Sequence, residues 1–440
     1  MQLIDTVINA RWVIPVDPSS TVLEDHALAL HNGEIIDILP MTKADERFQP
    51  KTSLSMGEHV LIPGLINAHT HAGMNLFRGL ADDLPLMEWL NDHIWPAENR
   101  WVNDEFTHDS TQLAIAEMIR GGVTCFNDMF YFPETVVHTC AHSGMRACIG
   151  LIVLGFPTMY ASGVDEYISK GLDLHDRCKG QELISTALAP HAPYTVSDEP
   201  LKRIRSYADQ LDMPIHMHVH ETADEVQRGI QSHGVRPIAR LAKLGLISPA
   251  LNAVHMTQLE DPEIEQLAAT GVHVIHCPES NLKLASGFCP VHRLMNAGIN
   301  VALGTDGVAS NNDLDILGEM RTAALLAKAV ANDATAVPAE TALRMATING
   351  AKALGLDHRI GTLKIGKAAD IVAIKLSDIE SMPFFNLYSQ LVYATGRDKV
   401  TDVWIAGRHV LKDRQLTTID EHQLKQKVNE WSRRIRTTGT

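Results

Sequence analysis

The 440-residue sequence has no Cys-x-x-Cys pair: its six cysteines (Cys125, Cys140, Cys148, Cys178, Cys277 and Cys289) stand apart, most of them inside apolar segments. That spacing argues against a thiolate zinc site and a disulfide framework, and fits buried thiols in a reducing compartment. Long apolar runs are also missing. No stretch approaches the roughly 18 residues of a membrane-spanning helix. The opening segment MQLIDTVINARWVIPVDP has neither a basic start nor a continuous apolar core. A cytoplasmic protein with no membrane partner is expected. Basic residues are outnumbered, 38 Lys and Arg against 53 Asp and Glu, and the net charge of −15 creates a field that repels phosphate backbones. Nucleic acid is therefore not an expected partner. What the sequence does have is histidine, 22 residues, several of them in short strand-like segments where solvated surface histidines are out of place. The excess directs attention to metal.

Eight short apolar segments alternate with amphipathic helical stretches: VLIPGLINAH (60–69), VTCFNDM (123–129), RACIGLIVL (146–154), LISTALAPH (183–191), PIHMHVHE (214–221), LNAVHM (251–256), VHVIHCP (272–278) and NVALGTD (300–306). Among the intervening helices, DPEIEQLAATG has Asp261 as the expected N-cap, Pro262 at the first helical position and Gly271 as the stop. Eight strand–helix pairs predict an α/β protein built on a (β/α)₈ TIM barrel, with chemistry at the C-terminal ends of the strands. Residues 1–60 alternate apolar and polar like half-exposed strands, and so do GTLKIGKAADIVAIK and VTDVWIAGRHVLKD near the other end. The expected organisation is a barrel over 61–356 and a small β-sandwich built from both chain ends, 1–60 and 357–440, closed by the amphipathic helix EHQLKQKVNEWSRRIRT.

His69 and His71 form an H-x-H at the end of the first barrel strand, where i and i+2 project to one side. Taken alone, the pair reads more readily as two buried imidazoles bonded to backbone than as a metal site. His218 on the fifth strand, His255 on the sixth and Asp306 on the eighth fall at the same barrel end, and such convergence is hard to obtain from packing. His69, His71, His218 and Asp306 make a three-nitrogen, one-oxygen set with room for water, the open coordination of a catalytic zinc. Glu221, three residues after His218, is placed to act as general acid/base; the alternative is a solvated carboxylate at a helix start. In HMHVHE, His216 and His220 share the face of His218 by alternation. The H-x-x-E spacing assigns the ligand to His218, with His216 buried in the barrel and His220 near the rim. No lysine ends the fourth strand to bridge two metals, so one divalent metal is expected, zinc first, with Fe²⁺ or Mn²⁺ as alternatives.

The motifs LIPGLINAHTH, HVHET, VHMT, HCPESNLKLASG, GTDGVASNNDLD and GTLKIGKAADIV resemble the amidohydrolase superfamily, in its cytosine-deaminase-like, single-metal branch. The resemblance covers essentially the whole chain and is strongest to the 5'-methylthioadenosine/S-adenosylhomocysteine deaminases. It implies a metal on His69, His71, His218 and Asp306, a proton shuttle at Glu221 and an orienting histidine at His255. It also implies substrate contacts from Glu98 (ribose hydroxyls), Trp89 (the nucleoside's 5' side) and His191. Trp89 reads equally as a core aromatic, and Glu98 could pair with Arg100. A small nucleoside partner follows, and a homo-oligomer is compatible.

Three readings compete. The first is an adenine nucleoside deaminase; the second is a deaminase or chlorohydrolase of a bare heterocycle (guanine, cytosine or s-triazine), for which Glu98 has no ribose to hold. The third, a dead scaffold, has no need of a complete site. Binding the amino-acid tail of S-adenosylhomocysteine calls for a cation, which the resemblance places after the third strand. Here LIVLGFPTMYASGVDEY has no Arg or Lys from 151 to 167. Phe156, Pro157, Met159 and Tyr160 are expected instead to offer a methylthio group an apolar surface, or else to pack on the barrel rim. Methylthioadenosine is therefore the expected preferred substrate.

Overall fold

The computed structural model describes residues 1–383 and 385–437. Sixteen strands are formed among them. Four lie near the start of the chain: β1 (Gln2–Val13), β2 (Leu23–His31), β3 (Glu34–Pro40) and β4 (Phe48–Pro63). Eight follow with helices between them: β5 (Leu65–Thr70), β6 (Val123–Met129), β7 (Arg146–Val153), β8 (Ile184–Pro190), β9 (Ile215–Val219), β10 (Leu251–His255), β11 (His273–His276) and β12 (Asn300–Leu303). The last four are β13 (Ile371–Lys375), β14 (Val400–Ile405), β15 (Arg408–Lys412) and β16 (Gln415–Leu416).

Strands β5 to β12 pair in sequence order, all parallel. Each falls within one of the eight apolar segments, except that β5 runs one residue past its segment, to Thr70. Every residue of β5, β6, β7, β9 and β10 is buried, as required of strands covered by helices outside and packed side chains inside. The ring is closed between its first and last members by the bridge Thr70–Asp306. Below that bridge, Asn67 Nδ2 donates to Thr305 Oγ1 (2.8 Å) and Thr305 N–H donates to Asn67 Oδ1 (3.0 Å). The connecting helices carry their own stop signals. The helix Asp261–Thr270 ends at Gly271 in the left-handed region, as expected, but its N-cap is Glu260, which forms a capping box with Glu263.

The two chain ends meet in one eight-stranded sheet, ordered β16-β15-β14-β13-β4-β1-β2-β3, whose middle pair joins the halves. Alternation along β4 and β13 gives this sheet two jobs. Val60, Ile62, Val372 and Ile374 face the barrel's core, whereas Leu61, Ile371 and Ala373 pack with Ile8, Leu28 and Trp404 in a core of the sheet's own. A buried ion pair, Arg146 Nε to Asp370 Oδ2 at 2.8 Å, ties the start of β7 to the approach of β13. No helix among the described residues is long and apolar enough to cross a membrane.

Candidate active site

The C-terminal ends of the barrel strands open into a cavity lined by both apolar and ionisable side chains, the usual make-up of a small-molecule site. Its floor holds His71, His218 and Asp306, with Glu221 and His255 beside them. One ligand atom from each of His69, His71, His218 and Asp306 lies within 4.8 Å of the others. Asp306 Oδ1 is 3.2 Å from His69 Nε2 and 3.1 Å from His71 Nε2, and His218 Nε2 is 3.2 Å from His69 Nε2.

Each of these rings is held by its other nitrogen. His71 Nδ1–H donates to the Met129 carbonyl (2.6 Å) and His218 Nδ1–H to the His191 carbonyl (2.8 Å), while His69 Nδ1 faces the buried His216. Asp306 Oδ2 accepts from Ser280 Oγ (2.7 Å) and Ser310 Oγ (2.8 Å), which turns Oδ1 toward the imidazoles. Three Nε2 lone pairs and one carboxylate oxygen facing a common centre fit a divalent metal. The turn carrying His71 is pinned by Asp128, whose Oδ1 accepts from the Ala72 N–H (2.6 Å) and Thr70 Oγ1 (3.1 Å).

Asp306 lies three residues past β12, at φ 63°. Gly304 makes the approach to β5 possible: a Cβ there would stand 2.8 Å from both the Cβ and the backbone nitrogen of His69. His255 closes β10 at φ 75°, and its Nδ1 is 2.9 Å from Asn281 Oδ1, so Nε2 faces the cavity 3.8 Å from Glu221 Oε1. Glu221 is 5% exposed, which removes the solvated helix-start alternative; the helix start is capped instead by Thr222. Its backbone is fixed at both ends, the N–H bonded to Glu225 Oε2 (2.6 Å) and the carbonyl to Thr257 Oγ1 (2.7 Å).

Burial sets the protonation of the site. It pulls His218 and His216 well below the usual histidine range, and takes His69 down to about 4 despite Asp306. At His71 burial also acts downward, but the Asp306 carboxylate overrides it and lifts the ring to about 9. Burial, reinforced by Asp306, pushes Glu221 up to about 8, and burial pushes Glu98 up to about 7 against the pull of His71 and Tyr131. His69 and His218 are thus neutral, the ligand form of histidine, whereas His71 holds a proton against Asp306 that a metal would displace on binding; a carboxyl lifted toward neutrality is suited to taking and giving a proton.

Glu98, His191 and Trp89 all line the same cavity. Tyr131 Oη donates to Glu98 Oε2 at 3.5 Å, His191 Nδ1 is 3.1 Å from Thr195 Oγ1, and Trp89 Nε1 donates to the Ala81 carbonyl at 3.1 Å. Two expectations are corrected. His220 is not at the rim: β9 ends at Val219, His220 turns to φ 52° and is fully buried, with Nδ1 bonded to the Gln258 carbonyl. Nor do Phe156, Pro157, Met159 and Tyr160 line the cavity. Much of its apolar wall comes from Met74, Leu86, Trp89, Leu90, Ile94 and Trp95 on the segment after β5, completed by Phe130, Ile152, Leu154 and Leu284. Tyr131 and Tyr194 were also missed in sequence, although both stand just past strand ends, in NDMFYF and APHAPY.

The profile of the amidohydrolase family matches residues 60–410. The chain belongs to the amidohydrolase family. A 5-methylthioadenosine/S-adenosylhomocysteine deaminase of Saccharophagus degradans is 50% identical to this amidohydrolase over 431 residues, covering 98% of this chain and 97% of its own length. One of Teredinibacter turnerae is 45% identical, covering 98% of each chain. The crystal structure of an adenosine deaminase from Xanthomonas campestris with bound zinc superposes with a TM-score of 0.98 at 53% identity, over 99% of both chains. An atrazine chlorohydrolase of Arthrobacter aurescens complexed with zinc (TM-score 0.90, 22% identity, 97% of this chain and 99% of that one) shares the fold.

Proposed function

We propose that this amidohydrolase deaminates 5'-methylthioadenosine to 5'-methylthioinosine and ammonia, with S-adenosylhomocysteine and adenosine as weaker substrates. One zinc ion per chain would sit on His69, His71, His218 and Asp306; the donor set of three imidazoles and one carboxylate supports it. The observation that carries the reading is the buried Glu221 carboxyl opening on the same cavity as His71, His218 and Asp306, with His255 facing it. Hydrolysis forms a bond from water oxygen to the purine carbon, breaks the bond from that carbon to the amino nitrogen, and releases ammonia. A bound zinc ion supplies Lewis acidity that makes water nucleophilic at neutral pH.

The chain's own groups do the rest. Glu221 takes a proton from the attacking water on its carboxylate and passes it to the neighbouring ring nitrogen. His255, its tautomer fixed by Asn281, orients the nucleophile through Nε2, and Asp306 polarises it through Oδ1. Glu98 has the chemistry to accept from ribose hydroxyls, and His191 and Trp89 flank the nucleoside. A bare heterocycle would leave Glu98 with no such partner.

The preference for a methylthio group rests on charge. Among the described residues no lysine or arginine lines the cavity, so the carboxylate of a homocysteine tail would enter without a counter-ion, whereas a short thioether meets Leu86, Trp89 and Leu90. Zinc analysis of the purified protein together with ammonia release from methylthioadenosine, guanine, cytosine and an s-triazine tests the proposal. Release from the nucleoside alone supports it; release from a bare ring in preference to the nucleoside replaces it.

A further inference from the structure

Two of the three metal-facing histidines are oriented by backbone carbonyls, of Met129 and His191. His69 is different. Its Nδ1 meets a side chain, His216 Nε2, at 2.8 Å, and His216 Nδ1 in turn lies 3.2 Å from Asn127 Nδ2. His216 and Asn127 are both 0% exposed. His216 precedes His218 by two on β9, so both rings point into the barrel, His216 one layer deeper.

The hydrogens on this chain of groups follow from one requirement. A histidine that gives the Nε2 lone pair to a metal carries its proton on Nδ1. His69 Nδ1–H therefore donates to His216 Nε2, and His216 must be the tautomer with its proton on Nδ1. That N–H cannot bond to an amide NH₂. Among the described residues Asn127 Oδ1 is buried without a hydrogen-bond partner, and turning the Asn127 amide by 180°, a change its electron-similar ends permit, puts Oδ1 against His216 Nδ1–H. One rotation thus satisfies the orphan oxygen and gives the chain a single direction: His69 to His216 to Asn127.

We infer that His216 and Asn127 are positioning residues for the metal ligand His69, fixing its tautomer and ring orientation through a relay of side chains. This inference rests on the metal role of His69 in the function proposed above, but not on any substrate.

The test is metal affinity. The full-length protein is stripped with chelator and titrated with Zn²⁺ against a chromophoric competitor, and a thermal melt of each metal-free variant reports folding. His216→Leu, of similar bulk but with no acceptor, should bind Zn²⁺ about 10- to 100-fold more weakly, whereas His216→Gln, whose Oε1 can accept from His69 Nδ1–H, should recover most of the loss. Asn127→Asp, which offers only acceptors, should bind at least as tightly as the parent, and Asn127→Leu more weakly; this pair decides if His216→Leu does not fold. A metal-free melt unchanged alongside weakened binding separates positioning from packing. Equal Zn²⁺ affinity across the variants, or His216→Gln no better than His216→Leu, overturns the inference. Failure of the parent to bind Zn²⁺ at all would instead overturn the metal assignment.

Discussion

The backbone N–H of Asp306 donates to the carbonyl of His69 at 3.0 Å, so the bond that closes the barrel also sets the spacing between its first and last metal-facing side chains. Strand closure and site assembly are one event here, and a change that opens the seam must disturb the ligand set.

Gly304→Ala tests that coupling. The new Cβ would overlap His69 from 2.8 Å, and overpacking of this kind costs about 1–3 kcal/mol. Denaturant unfolding of the metal-free variant should show a loss of that order, and Zn²⁺ affinity should fall with it. Unchanged affinity would mean that the seam relaxes without moving His69.

Removing the metal should abolish turnover while leaving the far-ultraviolet circular dichroism nearly intact, because the barrel is closed by Asn67, Thr305 and backbone bonds rather than by the ion. His218→Ala should bind zinc far more weakly and fold normally. Full activity of metal-free protein, or two tightly held metals per chain by elemental analysis, would contradict the site.

The two carboxylates Glu221 and Asp306 should separate in their effects. Glu221→Gln removes a proton carrier without touching a ligand, so zinc content and substrate affinity should persist while kcat falls by several orders of magnitude. Turnover within tenfold of the parent would move the acid/base role to another group.

Acid should loosen the C-terminal helix Glu421–Thr437. Asp109, buried on the helix Asp104–Arg120, is raised by its burial but carried net down to about 2 by His108, Lys427 and Trp431, with Lys427 Nζ at 2.8 Å and Trp431 Nε1 at 2.9 Å. Its folded value lies below the ordinary aspartate value near 3.9, so its contribution is complete above about pH 4 and is lost as pH falls toward 2. Asp109→Asn should lower stability at neutral pH by on the order of 1–3 kcal/mol, and the gap to the parent should close near pH 2. A gap that is independent of pH would assign the effect to packing.

The barrel was legible because each of its strands is a short apolar run, and the cluster of His69, His71, His218 and Asp306 because such residues seldom recur at the same end of several strands. Periodicity failed where the backbone leaves the strand. His220 follows the alternation of His216 and His218 on paper, but β9 stops at Val219 and the left-handed turn at His220 sends its ring elsewhere. The apolar wall was misplaced for a similar reason: Phe156 and Met159 have the right composition, yet which loop folds over a barrel mouth is decided by long-range packing, here the segment holding Leu86, Trp89 and Ile94. The relay inferred behind His69 was visible only as a His216 expected to be buried in the barrel, as it is, since its partner Asn127 comes from a strand far away in sequence.

The most direct test of the account is the set of kcat/KM values of the zinc-loaded protein for 5'-methylthioadenosine, S-adenosylhomocysteine and adenosine. Methylthioadenosine should rank first and exceed adenosine by roughly 10- to 200-fold, the discrimination available from burying one small apolar group. A value favouring S-adenosylhomocysteine would contradict the reading of the cation-free cavity, and absence of ammonia release from all three nucleosides would contradict the deaminase assignment itself.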